Sequence, residues 1–280
     1  MKRNTVVIIT VILISGFLAL VFYGLRHSRG APVIIEEPPK MVLEAPFIDK
    51  EIDLSKGVSH ELWEPLPSKK IEMFYQTMAL PWGGNLIASP TVKAFHNKKD
   101  IYIYLSWLDE TEDRDVRVGK FSDACGIMFS LDPNAPTSTI MMGFMGQANL
   151  WQWKASQDRE YWLKETSDLK AYVDFYYPLE EQELFPVSKV PPLSAVNDLV
   201  SIRIGTVTLK DAQNVQGRGI FERGRWSVVF RRAMSGLNKE SDADFVGRQK
   251  HNCVFAIWNG GKSDRGGRKS ISEWVEIDIK

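Results

Sequence analysis

Cysteine is scarce in this chain, and the pattern of the two that occur excludes covalent attachment of a c-type haem. The 280 residues contain only Cys125 and Cys253. They form no Cys-x-x-Cys pair and no Cys-x-x-Cys-His motif. Each lies in a strand-like run, so we expect buried free thiols. A disulfide between them is the alternative if the domain lies in an oxidising compartment.

The chain also lacks an excess of charge of either sign and the signature motifs of several enzyme classes. Lys and Arg together number 35, as do Asp and Glu, so the formal net charge is zero. No basic field therefore argues for binding of nucleic acid. No Gly-x-Ser-x-Gly, His-Glu-x-x-His, phosphate-binding loop or dinucleotide fingerprint occurs. We expect neither a hydrolase nor a nucleotide-dependent enzyme of these kinds.

The N-terminal segment is predicted to anchor the chain in a membrane. Asn4–Leu25 carries no charge and is rich in Val, Ile and Leu. As a helix it would span about 33 Å, enough to cross a bilayer. Its apolar core exceeds the usual length of a signal peptide, so an uncleaved anchor over residues 1–29 is favoured over a cleaved signal. Four prolines indicate an extended linker over residues 30–46.

From residue 47 onward the pattern is that of β-strands. Pro90–His96 alternates, Asn97–Asp100 indicates a hairpin turn, and Ile101–Trp107 returns as the next strand. Further strands are predicted at Ala124–Ser130, Ala148–Lys154, Leu199–Val207, Trp226–Arg231, Cys253–Trp258 and Trp274–Ile279. Many short strands with turn signals between them indicate an all-β fold. We expect an antiparallel β-sandwich of the immunoglobulin-like or carbohydrate-module-like kind over residues 47–280, following the N-terminal transmembrane helix.

Residues 156–198 interrupt this rhythm of strands. They contain two adjacent glutamates, several aromatic residues and, among others, the prolines at 186, 191 and 192. A long excursion from a compact domain is usually a binding loop or a subunit contact. Its aromatic residues fit either a contact with a cofactor or partner, or a small satellite core.

A methionine cluster lies between two of the predicted strands. Met141, Met142 and Met145 are spaced by Gly143 and Gly146. Methionine commonly fills gaps in a core, which is the interpretation that the residues alone favour. A thioether is also a soft metal ligand, and haem iron accepts one.

The run around this cluster resembles a known family. MMGFMGQANLWQWKA resembles the Met-Gly…Asn-hydrophobic-Trp-x-Trp-Lys segment of ethylbenzene-dehydrogenase-type haem-binding gamma subunits, which belong to type II dimethyl-sulfoxide-reductase-family molybdoenzymes. Three further stretches resemble the family in the family's order: Phe47–Glu64, Tyr102–Thr111 and Val254–Trp274. Together they cover most of the chain from about residue 45 onward.

The resemblance implies a noncovalent b-type haem whose iron is held by one methionine and one lysine. These carry over to Met142, which directly precedes Gly143, and to Lys269 of the run RKSISEW. Met141 stays the alternative, because a slip of one residue turns a strand's side chain to the other face. Lys262 is a weaker alternative in the same loop. A lysine ligates iron only as the neutral amine, so burial must lower its pKa.

Other side chains near the predicted site are weaker candidates. None of the four histidines has helical ligand spacing, and His251 is kept as a rival to Lys269. Arg265 and Arg268 could bind haem propionates through charge-assisted bonds, or lie in solvent. Met145 also precedes a glycine but lies too near the tryptophan pair for the family's spacing.

As the resemblance implies, the chain is expected to be an electron-transfer subunit and not itself an enzyme. Its implied partners are an iron–sulfur beta subunit and a molybdenum catalytic alpha subunit. Electrons would pass between an iron–sulfur cluster and a soluble cytochrome or the respiratory chain, with the domain on the periplasmic side of the membrane. The predicted anchor favours a nitrite- or nitrate-type respiratory complex.

A carbohydrate-binding module is the alternative from another class. A related sandwich family shares the Ile-Asp…Trp opening and stacks exposed tryptophans on sugars, and the nine tryptophans of this chain permit that. The Met-Gly cluster and the Lys-Ser-Ile-Ser loop have no role in sugar binding, which favours haem. A scaffold subunit that keeps only the fold is a third possibility.

Overall fold

A computed structural model describes most of the chain from residue 40 onward. The described residues are 40–280 without 78–85, 88, 118, 135–139, 141–142, 166–170, 173–185, 188–191 and 204, and of 171–172 and 186–187 only the backbone is described. The predicted anchor, residues 1–29, and the candidate ligands Met141 and Met142 lie outside these residues. In the part described, no helix is both long and apolar enough to span a bilayer.

Two β-sheets pack face to face as a sandwich. The strands are β1 (Met41–Ala45), β2 (Lys69–Lys70), β3 (Met73–Tyr75), β4 (Thr91–His96), β5 (Asp100–Leu108), β6 (Ala124–Ser130), β7 (Ala148–Lys154), β8 (Ala171–Tyr172), β9 (Pro186–Val187), β10 (Val196–Ser201), β11 (Thr208–Leu209), β12 (Gln216–Glu222), β13 (Arg225–Ala233), β14 (Lys250–Trp258), β15 (Ser270–Ser272) and β16 (Val275–Ile279). The first sheet has the order β1-β16-β14-β6-β7-β10-β11, with β15 and β3 extending from β14. The second has the order β12-β13-β5-β4-β2, and β8 pairs with β9. The predicted all-β sandwich is confirmed.

Strand pairing is antiparallel throughout the described ladders, with one exception. β1 runs parallel to β16, with Met41 opposite Val275 and Ala45 opposite Ile279. β1 lies inside the stretch predicted as a linker, residues 30–46. Leu43 and Ala45 are buried in the main core, so the folded domain begins earlier than the prolines indicated. The remaining domain boundaries stay predictions.

The core between the sheets is built from alternating side chains. On β7, Trp151 and Trp153 are fully buried, while Gln152 between them points to the opposite face of the sheet. The ring of Trp153 lies 5.0 Å from that of Trp226 and 6.5 Å from that of Trp107, which both come from the second sheet. Aromatic pairs at these distances add to the burial of apolar area. The Trp-x-Trp run therefore joins the two sheets.

Both cysteines are buried and free, as expected. Cys125 on β6 and Cys253 on β14 lie on adjacent strands, but Cys253 pairs with Phe129. The two thiols are thus separated by four positions along the ladder, about 13 Å. A disulfide needs Cα atoms within about 7 Å, so the register excludes one here.

Part of the excursion at residues 156–198 belongs to the sandwich. A short helix, Ala155–Asp158, is followed by a π-helical turn, Arg159–Leu163. In that turn Trp162 donates from Nε1 to the carbonyl of Gly217 on β12. Trp162 packs against the main core and also against a second apolar cluster that contains Trp63 and Tyr104. β10 begins at Val196, inside the predicted excursion.

Candidate functional site

The outer face of the first sheet, meaning the face turned away from the second sheet, carries a floor of small residues. Across β7, β6 and β14 the register aligns Gln152 with Gly126 and Ala256. In the next row it aligns Lys154, Ala124 and Trp258. Opposite residues of antiparallel strands point to the same face. Three neighbouring positions, Ala124, Gly126 and Ala256, therefore carry small side chains or none, and the ring of Trp258 lies over Gly126, 3.5 Å from where a Cβ would stand.

An apolar cluster borders this floor. Its buried members are Ile140, Val254, Ile271 and Trp274, with Met128, Phe144 and Ala256 packed against them. It is separate from the core between the sheets. The ring of Phe144 meets that of Trp274 edge to face at 5.1 Å. The outer face is thus an apolar surface covered by its own loops, which suits a flat hydrophobic group.

The candidate methionines belong to a segment whose described flanking residues pack against this cluster. Met141 and Met142 themselves lie outside the described residues. On one side of them Ile140 is buried in the apolar cluster, and on the other Phe144 packs against it. Gly143 donates from its backbone N–H to the carbonyl of Ile140 at 2.7 Å. Gly143 has a φ of +85°, a conformation that glycine adopts without strain.

Lys269 reaches the same outer face from the glycine-rich loop that follows β14. It directly precedes β15, and its carbonyl accepts a hydrogen bond from the backbone N–H of Gln76. Ser270 and Ser272 turn inward: Ile87 donates to the hydroxyl of Ser270, and Phe255 donates to that of Ser272. Ile271 turns outward into the apolar cluster. The alternation of Lys-Ser-Ile-Ser therefore places Lys269 on the side of Ile271.

The amine of Lys269 lies over an aromatic ring and has no carboxylate beside it. Its Nζ is 4.9 Å from the ring centroid of Trp258. Burial lowers the pKa of Lys269 to about 8. No acidic side chain among the described residues forms an ion pair with it. Buried cations are normally paired. A lysine without such a partner, whose pKa is lowered, loses its proton more readily and can then donate a lone pair.

The loop that carries Lys269 is held by backbone contacts that require glycine. Asn259 accepts at Oδ1 from the N–H of Lys262 and donates from Nδ2 to Asp109 at 2.9 Å. The N–H of Gly260 donates to Asp123 at 2.8 Å. A Cβ on Gly260 would collide with the carbonyl oxygen of Phe121. This close approach fixes where the loop begins its return toward the outer face.

The basic alternatives in the same loop are engaged elsewhere. The guanidinium of Arg265 stacks over the ring of Phe121 at 4.5 Å and donates to the carbonyl of Ser263. Arg268 lies beside Tyr75 and Asp264, whose pKa values it influences. Lys262 follows the turn at Asn259 and is half-buried. Lys269 differs from them because its amine has an aromatic ring and no anion as neighbour.

His251 is removed as a rival to Lys269. It lies at the start of β14 on the same side as Cys253, the core side, whereas Trp258 lies at the end of β14 on the outer face. Its Nε2 is 2.9 Å from the carbonyl oxygen of Arg248, and its ring is 4.7 Å from that of Phe245. Met145 is 70% exposed, so its thioether points to solvent.

Sequence reasoning missed several residues of this face. Met128, Lys154 and Trp258 all lie on it, beside the small residues of the floor. Strand alternation could have assigned each of them to the outer side of its own strand. Which of them become neighbours depends on the register between strands, and a single sequence does not give that.

The arrangement fits a noncovalent haem. It offers an amine whose pKa is lowered, small residues beneath the ring of Trp258, and an apolar cluster on which Ile140 and Phe144, at the two ends of the methionine segment, pack. The described residues contain no cluster of three or more His, Cys, Asp or Glu that could hold a bare metal ion.

Comparison with known proteins adds a family and one relative. The model of the ethylbenzene dehydrogenase family matches residues 60–270. A protein of Haloferax mediterranei that carries the name of a respiratory nitrate reductase haem subunit is 23% identical over 278 residues, which are 99% of this chain and 83% of that protein.

Solved structures of carbohydrate-binding proteins are distantly similar. A family 9 carbohydrate-binding module from Caldicellulosiruptor kristjanssonii, in complex with glucose, has a TM-score of 0.43 at 10% identity and covers 85% of this chain and 95% of its own. A protein of Bacteroides uniformis described as carbohydrate-binding has a TM-score of 0.45 at 6% identity and covers 86% and 100%. Scores of this size carry no functional argument.

Proposed function

The chain belongs to the ethylbenzene dehydrogenase family, and from this premise we propose that it is a haem b electron-transfer subunit of a respiratory molybdoenzyme complex. One observation carries the proposal. The amine of Lys269 lies on an apolar outer face over Trp258, with a pKa lowered to about 8 and no anion paired with it among the described residues. A solvated surface lysine would keep its charge and its usual pKa.

In this proposal Lys269 and Met142 would hold the haem iron, with Met141 as the alternative thioether. Lys269 acts as the neutral amine, which its apolar surroundings favour. Met142 directly precedes Gly143, next to Phe144, which packs on the same apolar cluster as Ile271. The bound haem iron would supply one-electron transfer, and a thioether ligand raises the reduction potential.

The walls of the site would keep water from the iron. Val254, Ile271 and Trp274 are almost fully buried. An apolar shell lowers the local dielectric and limits solvent access, and both properties tune the potential of a metal centre. With two axial ligands from the protein, no iron position remains for a substrate. The chain would therefore relay electrons while another subunit performs the catalysis.

The partners in this proposal are an iron–sulfur beta subunit and a molybdenum catalytic alpha subunit. The name of the Haloferax mediterranei relative supports a haem subunit of a nitrate-reducing respiratory complex. A soluble cytochrome or the respiratory chain would be the other electron partner. The charge-free segment Asn4–Leu25 would hold the complex at the membrane, with the domain on the periplasmic side.

The carbohydrate-binding alternative is disfavoured by the tryptophans. Sugar-binding modules present exposed aromatic rings as stacking platforms. Of the tryptophans in the described part of the chain, all are buried except Trp162, which is half-buried and bonded to β12. They are Trp63, Trp107, Trp151, Trp153, Trp162, Trp226, Trp258 and Trp274. These rings support packing and leave no platform among the described residues.

The test is a visible spectrum of the full-length chain supplied with haem, first oxidised and then reduced with dithionite. We expect sharp low-spin α and β bands on reduction and a pigment that acid acetone extracts, because the haem is six-coordinate and noncovalent. Lys269→Ala and Met142→Ala should each weaken haem binding and lose the low-spin bands, while the far-UV circular dichroism of the sandwich stays unchanged.

Two matched variants serve as controls. Lys262→Ala removes a lysine from the same loop, and Met145→Ala removes an exposed methionine from the same segment. Both should keep the wild-type spectrum and affinity. A colourless wild-type chain, or unchanged low-spin bands in both ligand variants, would refute the assignment.

A further inference from the structure

A second lysine, Lys154 at the end of β7, lies on the same outer face as Lys269. The register aligns it with Ala124 on β6 and through Ala124 with Trp258 on β14. Two strand spacings separate the backbones of Lys154 and Trp258, about 10 Å. The residue between their backbones is an alanine, and the ring of Trp258 lies over the neighbouring Gly126. Lys154 and the Lys269–Trp258 pair therefore border the floor from opposite sides.

The surroundings of Lys154 resemble those of Lys269, because burial alone lowers the pKa of each amine. Its side chain keeps partial exposure, yet burial lowers its pKa, and no charged group contributes to that shift. In the described part of the chain no carboxylate pairs with Lys154.

Elsewhere in the fold some poorly exposed cations have anions beside them, and others, such as Arg232, bond neutral oxygens instead. Lys210 bonds both Asp198 and Asp242. Arg231 bonds Asp100 at 2.8 Å, and Arg114 bonds Asp158 at 3.4 Å. Burial of a cation without such a partner is unfavourable. An anion that arrives with the ligand would supply the partner that Lys154 lacks among the described residues.

We propose that Lys154 binds a carboxylate side group of the haem and thereby orients it on the outer face. The inference rests on the proposed function, because it assumes that the same face receives the haem. Lys269 and Lys154 then divide two tasks: the neutral amine of one ligates the iron, and the ammonium of the other pairs with a propionate. Lys154 is a positioning residue and does not touch the iron.

The loop arginines fit this task less well. Arg265 is stacked on Phe121 and bonded to Ser263, and Arg268 lies beside Asp264. Each would give up an existing partner to bind a propionate. Lys154 gives up none among the described residues, and it is fixed on a strand that pairs with β6 over its whole length.

The experiment compares haem with its dimethyl ester, in which both carboxylates are blocked. Affinities for the two compounds are measured by titration of the full-length wild-type chain, Lys154→Met, Lys154→Arg and the exposed-lysine control Lys239→Met. Lys154→Met should lower the affinity for haem by about 10- to 100-fold, the range of a hydrogen bond to a charged group. Its affinity for the ester should stay at the wild-type value. Lys154→Arg and Lys239→Met should keep the preference of wild type for haem.

The spectra separate positioning from ligation. In every Lys154 variant the low-spin bands of the bound haem should stay at the wild-type wavelengths, because the axial ligands are untouched. Equal discrimination between haem and ester in wild type and Lys154→Met would overturn the inference, as would a change of spin state in that variant. A wild-type chain that takes up neither compound would instead overturn the haem proposal itself, and this inference with it.

Discussion

At the scale of single residues, the chemistry of the site depends on a buried amine that has no carboxylate partner among the described residues. Lys269 has the ring of Trp258 beside its amine and no carboxylate within the described part of the chain. The sequence pointed to this lysine through its resemblance to a family. The lowered pKa depends on the surrounding fold, and no local pattern of residues encodes it.

The pKa of Lys269 makes haem affinity dependent on pH. The neutral amine is the ligand, and below about pH 8 a proton occupies its lone pair. We therefore expect affinity to rise about tenfold per pH unit up to that value and then to level off. Haem titrations between about pH 6 and pH 9 would measure it.

Lys269→Met is the control for this profile, because a thioether needs no deprotonation to bind iron. Its affinity should not rise with pH over the range in which that of wild type does. A flat profile for the wild-type chain would mean that Lys269 is not a ligand.

At the scale of elements, local alternation predicted the central strands well. β6 and β7 were predicted with their observed bounds, because each alternates between core and outer face and is bounded by turn residues. Leu199–Val207 was predicted as one strand, whereas β10 ends at Ser201 and β11 begins at Thr208. β10 contains Asp198, which is buried because Asn149 and Lys210 bond it. Those long-range partners outweigh the local preference of Asp for turns.

β12 depends on a glycine where it crosses the tryptophans of the core. A Cβ on Gly219 would enter the ring of Trp153. That ring has little freedom to move, because Trp153 Nε1 and the N–H of Gly219 both donate to the same oxygen of Asp158. Gly219→Ala should lower the free energy of unfolding by about 1–3 kcal/mol, as overpacking of a core does.

Urea denaturation of the two chains measures this difference. Gly247→Ala is the matched control, because a Cβ there meets only an Asp244 oxygen at 3.5 Å. Gly219→Ala with the stability of wild type would show that β12 can move away from the tryptophans.

At the scale of the whole molecule, the number of strands indicated a sandwich, but their order in space was beyond the sequence. β15 and β3, which carry the loop of Lys269 to the outer face, pair over a separation of almost 200 residues. β14 pairs with β6 across more than 100 residues. Strand pairings over such sequence separations are determined by how the whole fold buries its apolar side chains. A short stretch of sequence does not reveal them. The sequence therefore predicted individual residues of the site, but not the surface that they form together.

Haem should stabilise the whole domain, because the folded outer face binds it and the unfolded chain does not. At a free haem concentration of 100 times Kd, the gain is about 2.7 kcal/mol. For a domain of this size that corresponds to a rise in Tm of about 5–10 °C. Calorimetry with and without haem would measure the rise, and Lys269→Ala should reduce it. An equal rise in wild type and that variant would place the haem elsewhere.

The parallel pairing of β1 with β16 has a consequence for synthesis. During translation β1 leaves the ribosome first, and its hydrogen-bonding partner leaves more than 200 residues later. The edge of β1 that later pairs with Val275–Ile279 stays without that partner until the last strand has emerged. Chaperones that bind extended segments thus have a target for the whole elongation time, and the first sheet is completed after translation has passed Ile279.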